Sequence, residues 1–277
     1  MTTAYNGKIA RINLTTGEIK VEPLNMELAK KFIGGRGLGT KMLYDEGIAT
    51  VDPLSEANKL IYITGAMTGT KAPTTGRYMV VTKSPLTGMI ACSNSGGIWG
   101  AKLKYAGWDA IIVEGKSEKP VYINVVNDKI ELLSADGLVG MKSEEIDDEL
   151  KKLHEDCSVL NIGPAGEHLS LLAAIMNDKD RAAGRSGVGA VMGSKNLKAI
   201  SVSASSSSIE SFDPEALKEI TKSSTQLIRE NGVTGSGLPT YGTAVLVNIV
   251  NNIGSFPTKN WQESYFEDAV STSGEAL

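Results

Sequence analysis

The sequence predicts an α+β fold for about the first 205 of its 277 residues, followed by the beginning of a mostly helical region. Three observations lead to this fold class. Apolar, β-branched segments bounded by turn residues outnumber the helical segments. Hairpins mix with isolated helices and never settle into a regular βαβ alternation, which disfavours a doubly wound nucleotide-binding fold. After a serine-rich break the pattern changes to helices alone.

The first elements are a hairpin and two helices. Residues 8–23 alternate apolar and polar side chains around Thr15-Thr16-Gly17, as two strands with one buried face would. Asn25 is a suitable cap for a short helix, which the glycines at 34 and 35 stop. A second helix is predicted over about 38–46.

Most of the remaining elements up to residue 204 are strands, because apolar and β-branched residues are bounded there by glycine and polar turns. Helices are predicted over 97–106, which Gly107 closes, and over 143–154, where Glu144 and Glu145 suit the positive end of the helix dipole. The predicted strands are 60–64, 78–82, 110–115, 121–126, 129–133, 158–162, 169–176 and 198–204.

A domain boundary is predicted near residue 207. The run SASSSSIES (203–211) has the composition of a linker, and Asp213-Pro214-Glu215 combines a cap, a first-position proline and a first-turn acid. Helices are predicted over 213–231 and 242–252. We therefore expect a domain over 1–206 and, over 207–277, the beginning of a helical domain that is cut short.

Composition and charge exclude several classes of protein. The formal net charge of −4 provides no broad basic face, so nucleic acid is not an expected partner. No stretch is long and apolar enough for a membrane helix, and the first residues lack the apolar core of a signal peptide, which favours a cytoplasmic protein without a membrane partner. The two cysteines, Cys92 and Cys157, are too far apart for a CxxC pair and are expected to be reduced structural thiols.

Glycine is unusually frequent, with 30 residues in 277, and it is clustered in loops. These loops do not match the common nucleotide motifs. The segments GAMTGTK (65–71) and GAVMGSK (189–195) miss the spacing of a P-loop. The segment GVGAVMG (187–193) has the wrong spacing for a Rossmann fingerprint and follows a polar loop instead of a strand. ATP and NAD are therefore not expected ligands.

Two loops combine arginine with glycine: one is 74–88 together with 92–97, and the other is 177–198. Guanidinium forks beside exposed backbone amides form the kind of site that holds a phosphate, so Arg77, Arg181 and Arg185 are the expected ligand contacts. The alternative is that these are surface turns whose arginines pair with nearby carboxylates. A cation site at Asp178 and Asp180 is a further alternative, although a short acidic pair without EF-hand spacing is usually a capped turn.

At these same loops the sequence closely resembles the aldehyde:ferredoxin oxidoreductase family. The resemblance extends through essentially the whole chain and includes motifs too long to arise by chance. It is carried by GGRGLGTKML, VDPLSEANKLIYITGAMTGT, APTTGRYMVVTKSPLTG, ACSNSGGIWGAKLKYAGWDAIIVEGK, GPAGEHLSLLAAIMNDKDRAAGRSGVGAVMGSKNLKAI and GLPTYGTAVLVNIVNNIG.

The resemblance implies a first domain of two β-sheets that forms a base for a tungsten bis-pterin cofactor, followed by mostly helical domains. It implies that backbone carbonyls at Asn94 and Ala182 help hold a magnesium ion between the two pterin phosphates. It also implies that none of the catalytic groups lies in this part of the family's sequence. The positions implied to contact the pterins and their phosphates are Arg77, Asn94, Gly96, Arg181, Ala182, Gly184 and Arg185.

For the complete enzyme the resemblance implies oxidation of aldehydes to carboxylic acids, with electrons passed through a [4Fe–4S] cluster to ferredoxin. Neither Cys92 nor Cys157 matches a cluster ligand of the family, so the cluster is expected only in a longer chain and this one is expected to be inactive alone. Tungsten versus molybdenum, the preferred aldehyde and a homodimeric state stay open. The alternatives are a related tungsten or molybdenum pterin reductase, a non-catalytic pterin- or phosphate-binding module, and an inert domain with tight glycine turns.

Overall fold

The computed structural model describes residues 4–277. Two β-sheets of six strands each account for the first three quarters of the chain. The first sheet has the order β2-β1-β6-β3-β4-β5 and is antiparallel except for the pair β1–β6. Its strands are β1 (Lys8–Asn13), β2 (Glu18–Pro23), β3 (Leu60–Thr64), β4 (Tyr78–Lys83), β5 (Ile90–Ser95) and β6 (Ala110–Glu114).

The second sheet has the order β11-β10-β9-β12-β7-β8 and is antiparallel except for the pair β7–β12. Two of its strands, β10 and β11, are only three residues long and form one edge. The strands are β7 (Val121–Val126), β8 (Lys129–Ser134), β9 (Ser158–Asn161), β10 (Ile175–Asn177), β11 (Arg181–Ala183) and β12 (Leu197–Ser203).

Helices lie between and after these strands along the chain. The bounds are α1 (Met26–Phe32), α2 (Gly35–Asp45), α3 (Trp99–Tyr105), α4 (Ser143–Leu153), α5 (Pro164–Glu167), α6 (Val188–Ser194), α7 (Pro214–Glu230), α8 (Leu238–Tyr241) and α9 (Val247–Asn252). Short 3-10 helices lie at Ile48–Thr50, Asp136–Leu138, Gly242–Leu246 and Ala269–Thr272, and a turn of π-helix at Val233–Gly237. No helix in residues 4–277 is long and apolar enough to cross a bilayer.

The main core lies between the two sheets and contains α3 and α6. The ring of Trp99 on α3 packs 4.8 Å from that of Tyr78, and its Nε1 donates to the carbonyl of Ile200 on the other sheet at 3.1 Å. Separate apolar clusters pack α1 and α2 on the outer face of the first sheet and α4 on the outer face of the second. Because both faces of β3 are covered, every residue of its run LIYIT is buried, which is why the sequence shows no alternation there.

The predicted α+β class with two sheets is confirmed, and most predicted elements are present. One strand prediction was largely wrong: of 169–176 only residues 175 and 176 belong to a strand, β10, because the preceding residues turn back against α5 and α6. The segments 92–95, 181–183 and 188–194, expected within the arginine-and-glycine loops, lie in β5, β11 and α6. Each owes its regular structure to a neighbouring strand or helix and not to its own propensity.

The chain divides into two compact units, one that ends at Pro214 and one over Glu215–Leu277. Within the second unit α7 is amphipathic, yet none of its residues is buried. The amide of Asn251 donates to the carbonyl of Phe266 at 2.9 Å and accepts from its N–H at 2.8 Å. The sequence-based division into 1–206 and 207–277 remains a prediction about domains.

A charge cluster joins β1 to its surroundings. The guanidinium of Arg11 lies 2.8 Å from Glu22, 2.6 Å from Glu46 and 3.1 Å from Glu114, and Lys59 lies 2.6 Å from Glu114. Burial by itself would raise the pKa of Glu114, but hydrogen bonds and charge from Lys59 and Arg11 outweigh it and hold the pKa below the ordinary 4.5. Ionised Glu114 therefore stabilises the fold above that pH, and this contribution is lost as the pH falls through the lowered pKa.

We expect Glu114→Gln to remove part of the acid dependence of stability. The free energy of unfolding of the original chain should fall more between pH 6 and pH 3 than that of the variant, as measured by urea titration at each pH. The exposed pair Glu27–Lys30, 3.2 Å apart, supplies the control, because Glu27→Gln should leave the pH dependence nearly unchanged. If the free energy of unfolding had the same dependence on pH in Glu114→Gln and in the original chain, the prediction would be contradicted.

Candidate functional site

An open cleft of about 420 Å³ lies where the two sheets approach each other. We call it the arginine cleft, because three of its lining side chains are guanidinium groups and none is a carboxylate. Its lining residues are Arg36, Arg77, Cys92, Ser93, Asn94, Ala182, Gly184 and Arg185.

The first wall of the cleft comes from β4 and β5. These strands are antiparallel with Met79 opposite Asn94, so Arg77, which comes just before β4, lies close to the end of β5. The guanidinium Nη1 of Arg77 donates to Oδ1 of Asn94 at 2.9 Å. Because side chains alternate along a strand, Asn94 is exposed to the cleft while Ser95 is buried beneath it.

The second wall comes from β11 and the segment that follows it. Ala182, Gly184 and Arg185 are exposed there. The backbone N–H of Arg185 donates to Oγ of Ser93 at 3.0 Å, which fixes this segment directly against β5 of the other sheet. Arg36, at the beginning of α2, supplies the third guanidinium.

The cleft is electropositive because its arginines have no acidic partners. Within residues 4–277 no carboxylate lies within 4.0 Å of the guanidinium groups of Arg36, Arg77 or Arg185. Arg11, in contrast, is surrounded by three carboxylates. Exposed guanidinium forks that converge without carboxylates attract anions and bind them through charge-assisted hydrogen bonds. The geometry therefore favours an anionic ligand such as a phosphate.

Comparison with known proteins agrees with the resemblance seen in the sequence. Residues 9–204 match the family model for the aldehyde ferredoxin oxidoreductase N-terminal domain, and residues 219–277 match the model for domains 2 and 3 of the same enzymes. The chain belongs to the aldehyde ferredoxin oxidoreductase family. The two matched ranges leave residues 205–218 between them, which include the serine-rich segment.

Several curated members of the aldehyde ferredoxin oxidoreductase family are similar over nearly the whole chain. The tungsten-containing aldehyde ferredoxin oxidoreductase of Pyrococcus furiosus is 52% identical over 273 residues, which is 98% of this chain and 45% of that protein. The enzyme of the same name from Thermococcus kodakarensis is also 52% identical, with the same coverage. An aliphatic sulfonate oxidoreductase, WOR-like subunit, of Pyrococcus furiosus is 36% identical. The chain spans about 45% of the length of the tungsten-containing relatives.

A solved structure supports the same architecture. The active site complex BamBC of benzoyl coenzyme A reductase, in complex with 1,5-dienoyl-CoA, aligns with a TM-score of 0.79 and 35% sequence identity. The alignment covers 83% of this chain and 35% of that one. The two-sheet architecture of this chain is thus shared with that structure.

The structure brings together most of the positions that the family resemblance implied. Arg77, Asn94, Ala182, Gly184 and Arg185 all line the arginine cleft. Two positions do not line it. The carbonyl of Gly96 accepts a hydrogen bond from Asn177 Nδ2 at 3.0 Å, and Arg181 Nε lies 3.8 Å from Asp180 Oδ1.

Sequence reasoning missed Arg36, Cys92 and Ser93 as cleft residues. The segment GGRGLG was used only as a helix stop and as part of the family resemblance, although an arginine between glycines was the available signal. Cys92 lies beside α2, with its Sγ 3.2 Å from Oγ1 of Thr40. Arg36 precedes the other cleft residues by more than 40 positions in the sequence. It can be assigned to the cleft only when the packing of α2 on β4 and β5 is known.

The alternative cation site at Asp178 and Asp180 gains no support. Oδ2 of Asp178 accepts from the backbone N–H groups of Ile98 at 2.7 Å and Trp99 at 3.3 Å, so this carboxylate caps α3. No group of three or more acidic, histidine or cysteine side chains in residues 4–277 could hold a metal ion. Asp178 is therefore a structural cap, as its short acidic motif usually indicates.

A second, smaller cavity of about 260 Å³ lies against the second sheet and shares no lining residue with the arginine cleft. It contains the ion pair of Glu167 with Lys198, whose side chain is only 2% exposed. Burial is the main cause that lowers the pKa of Lys198, against the hydrogen bond and charge of Glu167. Because the two charges neutralise each other and the remaining lining is mostly apolar, this cavity lacks the anion-binding character of the arginine cleft.

Proposed function

We propose that this chain is the cofactor-binding base of an oxidoreductase that converts aldehydes to carboxylic acids at a tungsten bis-pterin centre. The observation that carries the proposal is the arginine cleft, where Arg77 and Arg185 face an open space without an acidic partner. The cleft's residues fit the phosphate end of such a cofactor, because guanidinium groups and glycine-exposed backbone neutralise and bind phosphates. Arg36 adds a third positive charge to the cleft. We call these three arginines, with the glycine-exposed backbone beside them, the phosphate cradle.

The proposed pterin contacts are the positions implied by the family, Arg77, Asn94, Gly96, Arg181, Ala182, Gly184 and Arg185. A magnesium ion would be held through the carbonyls of Asn94 and Ala182, which come from the two different walls of the cleft. Oxygen ligands suit this ion, which keeps several further positions for water and phosphate. The two residues would therefore help join the phosphates to both sheets.

When bound, the tungsten centre supplies the two-electron chemistry, and the protein supplies binding and orientation. The residues of this chain do not fit a [4Fe–4S] cluster. Cys157 is buried, with burial raising its pKa to about 11, and Cys92 lies alone in the cleft. The cluster, the aldehyde pocket and the ferredoxin contact are proposed for a longer protein, as the names and lengths of the relatives suggest.

A related pterin reductase is the second candidate, supported by the benzoyl coenzyme A reductase structure. The identity of 52% to aldehyde ferredoxin oxidoreductases, against 35% to the reductase, favours the aldehyde enzyme. Elemental analysis of anaerobically purified protein separates tungsten from molybdenum, and bound pterin is detected by its fluorescence after oxidation. Molybdenum in place of tungsten would contradict the tungsten assignment.

The cradle itself is tested with inorganic pyrophosphate in the presence of Mg²⁺, by isothermal titration calorimetry on the 277-residue chain. We expect Arg77→Ala and Arg185→Ala each to weaken binding about 10- to 100-fold, because each removes charge-assisted hydrogen bonds. Arg229→Ala removes the same charge from the exposed end of α7 and should leave affinity unchanged. A chain that does not bind pyrophosphate, or equal losses in all three variants, would overturn the proposed cradle.

A further inference from the structure

The side chain of Asn177 connects the two walls of the arginine cleft from below. Asn177 is fully buried on β10, next to the edge strand that carries the second wall. Its Oδ1 accepts a hydrogen bond from the hydroxyl of Tyr78 at 2.9 Å and from Oγ of Ser95 at 2.6 Å. These two residues are the immediate neighbours of Arg77 and Asn94 on the first wall.

The nitrogen of the same amide is also fully used. Nδ2 of Asn177 donates to the carbonyl of Gly96 at 3.0 Å and to Oδ2 of Asp178 at 2.9 Å. An asparagine amide offers two donor hydrogens and an acceptor oxygen with two lone pairs, and all of these have partners here. A side chain satisfied in this way has one allowed orientation, and it fixes the separation of the groups that it joins.

Gly97 shows how close the two walls come. Its φ of +80° lies in the region that favours glycine, and a Cβ at this position would lie 2.3 Å from Oδ2 of Asp178 and 2.7 Å from Nδ2 of Asn177. A larger residue at this position would collide with the side chains of Asn177 and Asp178 and displace them. The space around the Asn177 amide is thus closed on the side of Gly97 as well.

We infer that Asn177 is a positioning residue that sets the width of the arginine cleft. On the strand ladder Asn177 lies opposite Arg181, and among residues 4–277 β11 pairs with no strand other than β10, so β11 is held beside Asn177. The bonds of Asn177 to Tyr78, Ser95 and Gly96 act together with the bond from the Arg185 N–H to Ser93, and they set the separation of the backbone segments that carry Arg77 and Arg185. The inference rests on the proposed function, because the width matters for a ligand that touches both walls.

The test compares two phosphate probes in the 277-residue chain. Inorganic pyrophosphate is long enough to contact both walls, whereas inorganic orthophosphate can bind to one. In Asn177→Asp one carboxylate oxygen can still accept from Tyr78 and Ser95. The other carboxylate oxygen takes the place of Nδ2 and faces the carbonyl of Gly96 and the carboxylate of Asp178, which repel it. We expect the Kd of pyrophosphate to rise about 10- to 100-fold while that of orthophosphate changes much less.

A matched control lies in the same sheet. Asn124 on β7 is 4% exposed, and its Oδ1 accepts from Oγ of Ser201 at 2.8 Å. Asn124→Asp makes the same chemical change three strands away from β10, so it should lower the melting temperature without altering the ratio of the two Kd values. Gly97→Ala provides a second variant, since its Cβ would displace the Asn177 amide from Gly96 and Asp178 without changing residue 177, and it serves if Asn177→Asp fails to fold.

A selective loss of pyrophosphate binding in Asn177→Asp or Gly97→Ala, absent from Asn124→Asp, supports the inference. Unchanged Kd values in a folded variant with a lower melting temperature would show that Asn177 only stabilises the core. That outcome leaves the proposed cradle standing, because the original chain still binds pyrophosphate. If the original chain binds neither probe, the proposed cradle and the positioning role both fail.

Discussion

We expect Asp109→Ala to lower the free energy of unfolding by about 3–5 kcal/mol, because it leaves a buried ammonium group without its partner. Nζ of Lys104 lies 2.8 Å from Oδ1 of Asp109, with side chains 0% and 4% exposed. The carboxylate also accepts from the backbone N–H groups of Asn6 at 3.2 Å and Gly7 at 2.7 Å. Urea unfolding followed by tryptophan fluorescence reports on this region, since Trp99 and Trp108 are buried in the same unit.

The exposed pair Glu149–Lys152, 3.1 Å apart, is the control for this prediction. Glu149→Ala should cost less than about 1 kcal/mol, the range of surface ion pairs. The double variant Lys104→Met with Asp109→Leu should recover much of the loss, because it removes both buried charges together. Equal stability of Asp109→Ala and Glu149→Ala would refute the structural importance of the buried pair.

We expect Gly193→Ala to destabilise the fold by about 1–3 kcal/mol or more, through overpacking between α5 and α6. A Cβ on Gly193 would lie 1.9 Å from the backbone carbonyl oxygen of Gly166, which cannot move without shifting α5. In the middle of an ordinary helix, Gly→Ala stabilises the protein by about 0.5–1 kcal/mol. A loss of stability in Gly193→Ala would therefore identify overpacking as the cause. Thermal and urea unfolding of the variant measure it.

Gly137 provides the matched control for Gly193. A Cβ at Gly137 would meet no atom within 4 Å, so Gly137→Ala should be neutral or slightly stabilising. A neutral Gly193→Ala would mean that α5 and α6 can separate at little cost. This contact matters for the site, because α6 follows directly from the segment that carries Arg185.

The long apolar strands and the helix caps were predictable from the sequence because their signals are local. The run 60–64 is continuously apolar and forms β3, and the side chain of Asn25 accepts from the N–H groups of Glu27 and Leu28 as expected of a cap. β5 and β11 were not predictable, because IACSNS has a single β-branched residue and RAA has none. They become strands by pairing with β4 and β10.

The sequence by itself determined the family, through its long motifs, and it predicted an anion site, since arginine and glycine in the same loops favour an anion wherever they lie. Only the tertiary structure decided which arginines converge: Arg36 joins Arg77 and Arg185 in the cleft, and Arg181 lies outside its lining. The reason is geometric. Convergence depends on the register of strands in two sheets whose cleft-forming segments lie about 90 residues apart, as in the bond between Ser93 and Arg185, and no local pattern encodes that distance.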